Sequence, residues 1–168
     1  MERELWDAVD REGRPLGFDL VRGEPVPEGA YHLVVEIYAV THDGRVLVTQ
    51  RHPDKPWGLH WEVTGGSVVK GESPLAGARR ELREETGAAA GSFQSLGELY
   101  PSPGYCGEVI HMYLARDLDF GDMNLDEDEF LNLERIPFSD LVEQVLSGEV
   151  KDAKTIAAVL KAKLLLGL

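Results

Sequence analysis

One segment constrains this chain more than any other: it runs from Gly66 to Ala88 and places a group of glutamates in a short predicted helix. Glu81, Glu84 and Glu85 stand at positions i, i+3 and i+4, which lie on one face of a helix. Like charges at this spacing destabilise an isolated helix by about 0.2 to 0.5 kcal/mol per pair. A cation between the carboxylates would offset the repulsion, so the segment predicts a helix that binds a metal ion.

The ends of this helix are marked in the sequence. Ser73 can cap its N-terminus, Pro74 suits its first turn, and Gly87 suits the left-handed residue that ends a helix. Its apolar residues fall on a stripe beside the glutamates, which we expect to pack on a core: Leu75, Ala78 and Leu82. One face of the helix therefore packs, and the other is available for chemistry.

Strand-like segments flank the helix on both sides. Residues 1–30 are rich in Gly, Pro and charges and predict a hairpin, with a strand start at 5–9 and a turn at 11–14. Further strands are predicted at 32–40, 46–50, 57–64, 96–100 and 109–115, and an Asp-Gly turn joins the first two of these. Two more helices are predicted at 139–146 and 152–166, separated by Ser147-Gly148.

Composition limits the classes of function. At 168 residues with 43% hydrophobic content, the chain predicts one globular domain. Its net charge of −13 disfavours binding to duplex nucleic acid, which needs clustered Lys and Arg. No apolar run approaches the roughly 20 residues that span a bilayer, and the opening residues lack the order of a signal peptide. We therefore expect a cytoplasmic protein with no membrane partner.

The segment from Gly66 to Ala88 resembles the box of the Nudix hydrolases at every fixed polar and glycine position, including Gly66, Glu72 and Gly87. It departs only at Ala88, where the family usually has a larger aliphatic residue. The resemblance implies an α/β fold in which a mixed β-sheet is sandwiched between helices. It also implies a Nudix domain over residues 31–168, preceded by the hairpin-like extension of residues 1–30.

The same resemblance implies a Mg²⁺ site, with Mn²⁺ as a substitute. Glu81 and Glu85 would be the main ligands, Glu84 would assist, and the carbonyl of Gly65 would complete the shell. Mg²⁺ suits an all-oxygen site and retains waters that can be deprotonated, so the implied reaction is hydrolysis of a diphosphate linked to another group. The alternative is a solvent-exposed helix face whose glutamates pair with arginines, as Arg80 and Glu84 can at i, i+4.

A second acidic cluster, at residues 126–129, resembles the loop that contributes a base and a further metal ligand in the ADP-ribose pyrophosphatase branch. That resemblance implies Glu127 as the base and Glu129 as the auxiliary ligand. Glu127 joins Glu84 and Arg80 as our candidate catalytic residues. A solvated acidic loop remains an alternative in a chain this acidic.

The substrate-binding candidates are Arg51, Glu62, Pro103 and Glu108. Residues 101–104 and Glu108 resemble the proline-glycine loop and downstream Glu of ADP-ribose pyrophosphatases, and members of that branch often present an Arg at the position of Arg51. Residues 149–155 resemble a C-terminal stretch of the same branch. Together they favour a small-molecule substrate such as ADP-ribose or a nucleotide sugar, although an ordinary β-turn would also explain residues 101–104. Tyr105 stands close to the sequence position at which dinucleoside polyphosphate hydrolases have a Tyr. Such compounds, or nucleoside di- or triphosphates, are therefore alternative substrates.

The first 70 residues resemble Nudix proteins close to isopentenyl-diphosphate isomerase. That enzyme relies on a Cys shortly before the box and on a metal-binding His that follows this Cys. The equivalent stretch here, residues 61–66, contains neither. The isomerase is therefore disfavoured, and His32 is interpreted as a partly buried strand histidine. A catalytically silent nucleotide sensor is a further alternative, which the complete box disfavours. Homodimer formation through the N-terminal extension is left open.

Overall fold

Nine strands and three helices make up the part of the chain that the structure, a computed structural model, describes: residues 3–102, 104–122 and 132–167. The strands are β1 (Leu5–Val9), β2 (Pro15–Val21), β3 (His32–Ala39), β4 (Arg45–Gln50), β5 (Trp61–Glu62), β6 (Thr64–Ser67), β7 (Ala88–Leu99), β8 (Glu108–Phe120) and β9 (Asn132–Pro137). The helices are α1 (Pro74–Thr86), α2 (Phe138–Ser147) and α3 (Ala153–Leu166). None of these helices has both the length and the apolar composition to cross a lipid bilayer.

The central sheet is mixed, with the strand order β6-β3-β8-β7. Strand β3 pairs in parallel with β8, from His32 opposite Glu108 to Ala39 opposite Ala115, and antiparallel with β6 on its other edge. A second sheet has the order β5-β4-β9. The short strand β6 therefore places Gly65 and Gly66, which we call the glycine pair, directly beside the middle of β3.

Helices cover both faces of the central sheet, because successive residues of β3 point to opposite sides. Val35, Ile37 and Ala39 pack with the buried Ala78 and Leu82 of α1. On the opposite face, Tyr38 packs into a cluster that includes buried residues of α2 and α3: Leu141, Val142, Ala158, Val159 and Ala162. The mixed α/β sandwich expected from the sequence is confirmed.

The N-terminal residues form the predicted hairpin, in which β1 and β2 pair antiparallel. Its turn is held by Asp10, whose carboxylate accepts from the N–H groups of Glu12 and Arg14, at 2.9 Å each. The hairpin also contacts the loop that precedes α1: the Asp7 carboxylate accepts from Gly71 N–H at 2.7 Å. The extension thus rests on the loop that leads into the glutamate helix.

Several element boundaries differ from the sequence prediction. The strand predicted at 57–64 is wrong in its first half, because Trp57 and Leu59 have left-handed backbone angles, with φ of 58° and 65°, that no strand accommodates. Strands β7 and β8 are longer than predicted, since each pairs with the other along most of its length. Strand β9 was not predicted; its pairing with β4 defines it. Leu75 is exposed at 36% and does not join the packed stripe.

Candidate active site

The glutamate helix begins and ends where the sequence predicted. The Ser73 hydroxyl accepts from Ala76 N–H at 3.2 Å, and Pro74 occupies the first turn. Gly87 ends the helix with φ of 68° and donates its N–H to the carbonyl of Arg83 at 3.0 Å. A fixed start and a fixed end determine which face of α1 carries the three glutamates.

Arg80 organises the carboxylates of this region. Its Nε and Nη2 donate to the two oxygens of Glu72 at 2.9 and 3.0 Å, and Nη2 also donates to the Ser67 carbonyl at 2.9 Å. Its Nη1 donates to Glu81 at 2.8 Å and to Glu84 at 3.1 Å. Burial works against the charge of Arg80, but the hydrogen bond that it donates to Glu72 and the charge of Glu81 outweigh this effect and raise its pKa above the ordinary value. Glu72 and Arg80 therefore connect the loop that precedes α1 to the face of α1 that carries the three glutamates.

Glu85 is the most deeply placed of the three helix glutamates, with 8% of its surface exposed. Its carboxylate accepts from the Thr64 hydroxyl and, at 3.3 Å, from Gly65 N–H. A Cβ on Gly66 would collide with the carboxylate of Glu81, and a Cβ on Gly65 would collide with backbone of β3. Gly65 thus allows the close approach of two neighbouring strands, and Gly66 leaves room for the carboxylate of Glu81 from α1.

The donor chemistry of this region fits Mg²⁺, which prefers carboxylate and carbonyl oxygens. Within the described ranges, however, no group of three or more His, Cys, Asp or Glu side chains is already arranged around a common point for a metal ion. The physical reason is that Arg80 holds Glu81 and Glu84, while Thr64 and Gly65 hold Glu85. The salt bridge from Arg80 to Glu84, considered above as an alternative explanation of the spacing, is present at 3.1 Å. The metal-ligand assignments remain predictions.

Two adjoining cavities lie beside the glycine pair and share four lining residues: Arg51, Glu62, Glu108 and Lys154. The inner cavity, of about 280 Å³, is also lined by Gly65 and Gly66. The outer cavity has a volume of about 790 Å³. We refer to the two together as the cleft.

Three of the four predicted substrate-binding residues thus come together in the cleft. Arg51 Nη1 donates to both carboxylate oxygens of Glu62, at 2.9 and 3.1 Å, and Glu108 lines both cavities. The fourth, Pro103, lies outside the described residues, as do the predicted base Glu127 and the predicted auxiliary ligand Glu129.

Sequence reasoning missed a partly buried ion cluster that adjoins the cleft. Lys154 Nζ lies 2.7 Å from Asp152, 3.7 Å from Glu36 and 3.8 Å from Glu62. Glu36 is only 2% exposed, and this burial raises its pKa well above the ordinary value. Burial likewise raises the pKa of Glu62, whereas the surrounding carboxylates raise that of Lys154 despite its own burial. The sequence did contain one signal: Glu36 interrupts an otherwise apolar strand.

His32 lies at the start of β3 and lines the inner cavity. Its ring stacks on Trp6 of the hairpin, with ring centroids 4.4 Å apart and planes inclined by 15°. Burial lowers its pKa. It is thus a buried strand histidine, more enclosed than the sequence suggested.

Comparison with known proteins agrees with this geometry. The family model of the NUDIX domain matches residues 30–159. An ADP-ribose pyrophosphatase of Bacillus subtilis is 35% identical over 127 residues, which cover 74% of this chain and 69% of that protein. A GDP-mannose pyrophosphatase of Escherichia coli is 35% identical over 96 residues, covering 55% of this chain and 50% of that protein. The crystal structure of an ADP compounds hydrolase superposes with a TM-score of 0.73 at 18% identity, covering 99% of this chain and 95% of that one.

Proposed function

The chain belongs to the NUDIX family, and from this premise we propose that it is a Mg²⁺-dependent pyrophosphohydrolase of ADP-ribose or a related nucleotide sugar. The observation that carries the proposal is the position of the cleft. The cleft is lined by the glycine pair, against which Glu81 and Glu85 lie, and by the cations Arg51 and Lys154. The names of the two relatives, each at 35% identity, support a nucleoside diphosphate linked to a sugar as the substrate class.

In the proposed reaction, the oxygen of a water molecule bonds to one phosphorus of the diphosphate, and the bond from that phosphorus to the bridging oxygen breaks. The products are two phosphate monoesters. Glu81, Glu84, Glu85 and the Gly65 carbonyl would hold the metal ion. When bound, Mg²⁺ supplies charge neutralisation of the phosphates and lowers the pKa of a coordinated water.

The side chains of the protein have separate tasks in this proposal. Arg80, which holds Glu81 and Glu84 by hydrogen bonds, would act on the metal site through these two carboxylates. Arg51 would bind a phosphate oxygen, because it lines both cavities of the cleft and a guanidinium carries N–H donors beyond those that Pro56 and Glu62 engage. Glu127 would accept the proton of the attacking water, and Glu129 would add a ligand. These two roles rest on the resemblance of residues 126–129 to the acidic loop of ADP-ribose pyrophosphatases.

The metal assignment is tested by Glu85→Gln, which keeps the size of the side chain and removes its charge. We expect this variant to lose nearly all turnover, and to bind Mn²⁺ much more weakly in a titration followed by electron paramagnetic resonance. Glu143→Gln is the matched control, since Glu143 is exposed on α2. Circular dichroism and thermal melting should show that both variants are folded. Wild-type turnover of Glu85→Gln at saturating Mg²⁺ would refute the metal assignment.

The substrate assignment is tested on the wild-type protein. ADP-ribose, GDP-mannose, diadenosine tetraphosphate and CDP should be compared under identical conditions, with the products identified. We expect the highest kcat/KM for ADP-ribose or the nucleotide sugar. A clear preference for diadenosine tetraphosphate or CDP would show that the substrate class is wrong, even if the reaction class is right.

A further inference from the structure

The loop between β4 and β5 holds one tryptophan in an unusual position. Trp57 is 81% exposed and lines the outer cavity of the cleft. Both Trp57 and Leu59, two residues later, adopt left-handed backbone angles, which non-glycine residues take rarely and which cluster at functional sites. A large apolar ring is thus presented to solvent by a backbone conformation that is unfavourable for it.

The surrounding chain holds this conformation in place. Arg51 Nε donates to the Pro56 carbonyl at 3.2 Å, and the His60 ring nitrogen Nδ1 lies 2.8 Å from the Trp57 carbonyl. Gln50 Nε2 donates to the Leu59 carbonyl at 3.0 Å. The loop is therefore fixed by Gln50 of strand β4 and by Arg51 and His60, which lie at its two ends.

Among the described residues, the ring of Trp57 meets one other ring, and 81% of the residue's surface is exposed. It meets His60 edge to face, with centroids 6.3 Å apart and planes at 88°. An edge-to-face contact leaves a face of an indole available for stacking on another planar ring. Arg51, which supports the loop at Pro56, also lines both cavities of the cleft. Arg51 thus supports the loop that carries the indole and also lines the cleft that would hold the phosphates.

We propose that Trp57 is the stacking platform for the nucleobase of the substrate. The proposal rests on the proposed function, and it assigns the outer cavity to the nucleoside half of the diphosphate compound. A nucleobase is the planar group of such a substrate, and stacking of a base on an aromatic side chain contributes substantially to binding without demanding a particular base. The sugar phosphate on the other side of the diphosphate makes no contact with Trp57.

The test compares two product halves as probes, AMP and ribose 5-phosphate, by calorimetric titration in the same Mg²⁺ buffer. Trp57→Ala should weaken the binding of AMP by about 5- to 100-fold and change that of ribose 5-phosphate by less than about twofold. Trp57→Phe should retain most of the AMP affinity, because a phenyl ring can still stack. Phe18→Ala is the control, since Phe18 is also an exposed aromatic residue but belongs to the hairpin strand β2.

Tryptophan fluorescence gives a second readout. AMP should quench the wild-type emission, and the quenching should be lost in Trp57→Phe, which retains Trp6 and Trp61. In steady-state kinetics, Trp57→Ala should raise the KM for ADP-ribose while kcat changes little.

Failure of this inference can be separated from failure of the proposed function. If wild-type protein hydrolyses no nucleoside diphosphate compound, the proposed function is wrong. If wild-type protein hydrolyses ADP-ribose but Trp57→Ala binds AMP normally, or loses both probes equally, the stacking role of Trp57 is overturned.

Discussion

Lys154→Met should reveal how strongly the partly buried ion cluster that adjoins the cleft depends on its lysine. The methionine has nearly the length of lysine but no charge, so Glu36 would lose the cation 3.7 Å away while remaining almost fully buried. At that distance, and with an effective dielectric constant of about 20, the attraction between the two charges is about 4.5 kcal/mol. Removing one partner of a buried ion pair typically costs about 3 to 5 kcal/mol.

The lower end of that range is the expected loss for Lys154→Met, because Glu36 can take up a proton once its partner is gone. The burial of Glu36 raises its pKa and so favours the neutral form. A loss of about 3 kcal/mol corresponds to a fall in Tm of about 6 to 12 °C for a chain of this size. Urea denaturation of the wild type and the variant at neutral pH would measure it directly.

A double variant separates the ion pair from simple loss of packing. Glu36→Gln combined with Lys154→Met leaves no buried charge at that pair, so we expect it to be more stable than Lys154→Met alone. The coupling energy should be about 1 to 3 kcal/mol. Lys161→Met, at an exposed position on the same helix, should change stability by less than about 0.5 kcal/mol. Strictly additive single variants, or an unchanged Lys154→Met, would refute the reasoning.

Two further perturbations test the glycine pair and the buried histidine. Gly65→Ala should lower the free energy of unfolding, measured by urea denaturation, by about 1 to 3 kcal/mol, because its Cβ would meet the Val35 carbonyl. Gly104→Ala is the control and should be nearly neutral, because its Cβ meets no atom of the described residues within 4 Å. The lowered pKa of His32 means that the unfolded chain binds more protons just below about pH 6.5, so the wild type loses stability as the pH falls through that region. His32→Phe keeps a ring against Trp6 but cannot titrate. Between pH 7.5 and 5.5 its free energy of unfolding should therefore fall less steeply than that of the wild type, and the two slopes should differ by up to about 1.4 kcal/mol per pH unit. Equal pH slopes for the two proteins would contradict this account.

Local chemistry explains why the glutamate helix could be predicted from the sequence to within a residue. Its cap, its first-turn proline and its terminal glycine each act on neighbouring residues, so the signal lies inside the segment itself. The strand β9 is different: its residues acquire their structure by pairing with β4, which is distant in sequence. Strand propensity depends on such context more than helix propensity does.

The same distinction holds for the candidate site. The spacing of Glu81, Glu84 and Glu85 is visible in the sequence, and the structure places them on the expected helix. The pairing of Glu36 with Lys154 is not visible, because it depends on how α3 packs across the sheet from α1. The backbone of Trp57 is also unpredictable from its residue type, since its left-handed angle is imposed by contacts of the surrounding loop.

The parallel pairing of β3 with β8 has a consequence for the order in which the molecule assembles. Helix α1 is held by hydrogen bonds between residues that are close in sequence, so it can form in about a microsecond. The cleft requires contacts between distant parts of the chain, such as the Val63 N–H that donates to Thr155 Oγ1, 92 residues away. Long-range pairings of this kind slow folding because a long loop must close before any contact is gained. The glutamate face can therefore form early, while the wall that would face the substrate is completed only when the sheet and α3 have come together.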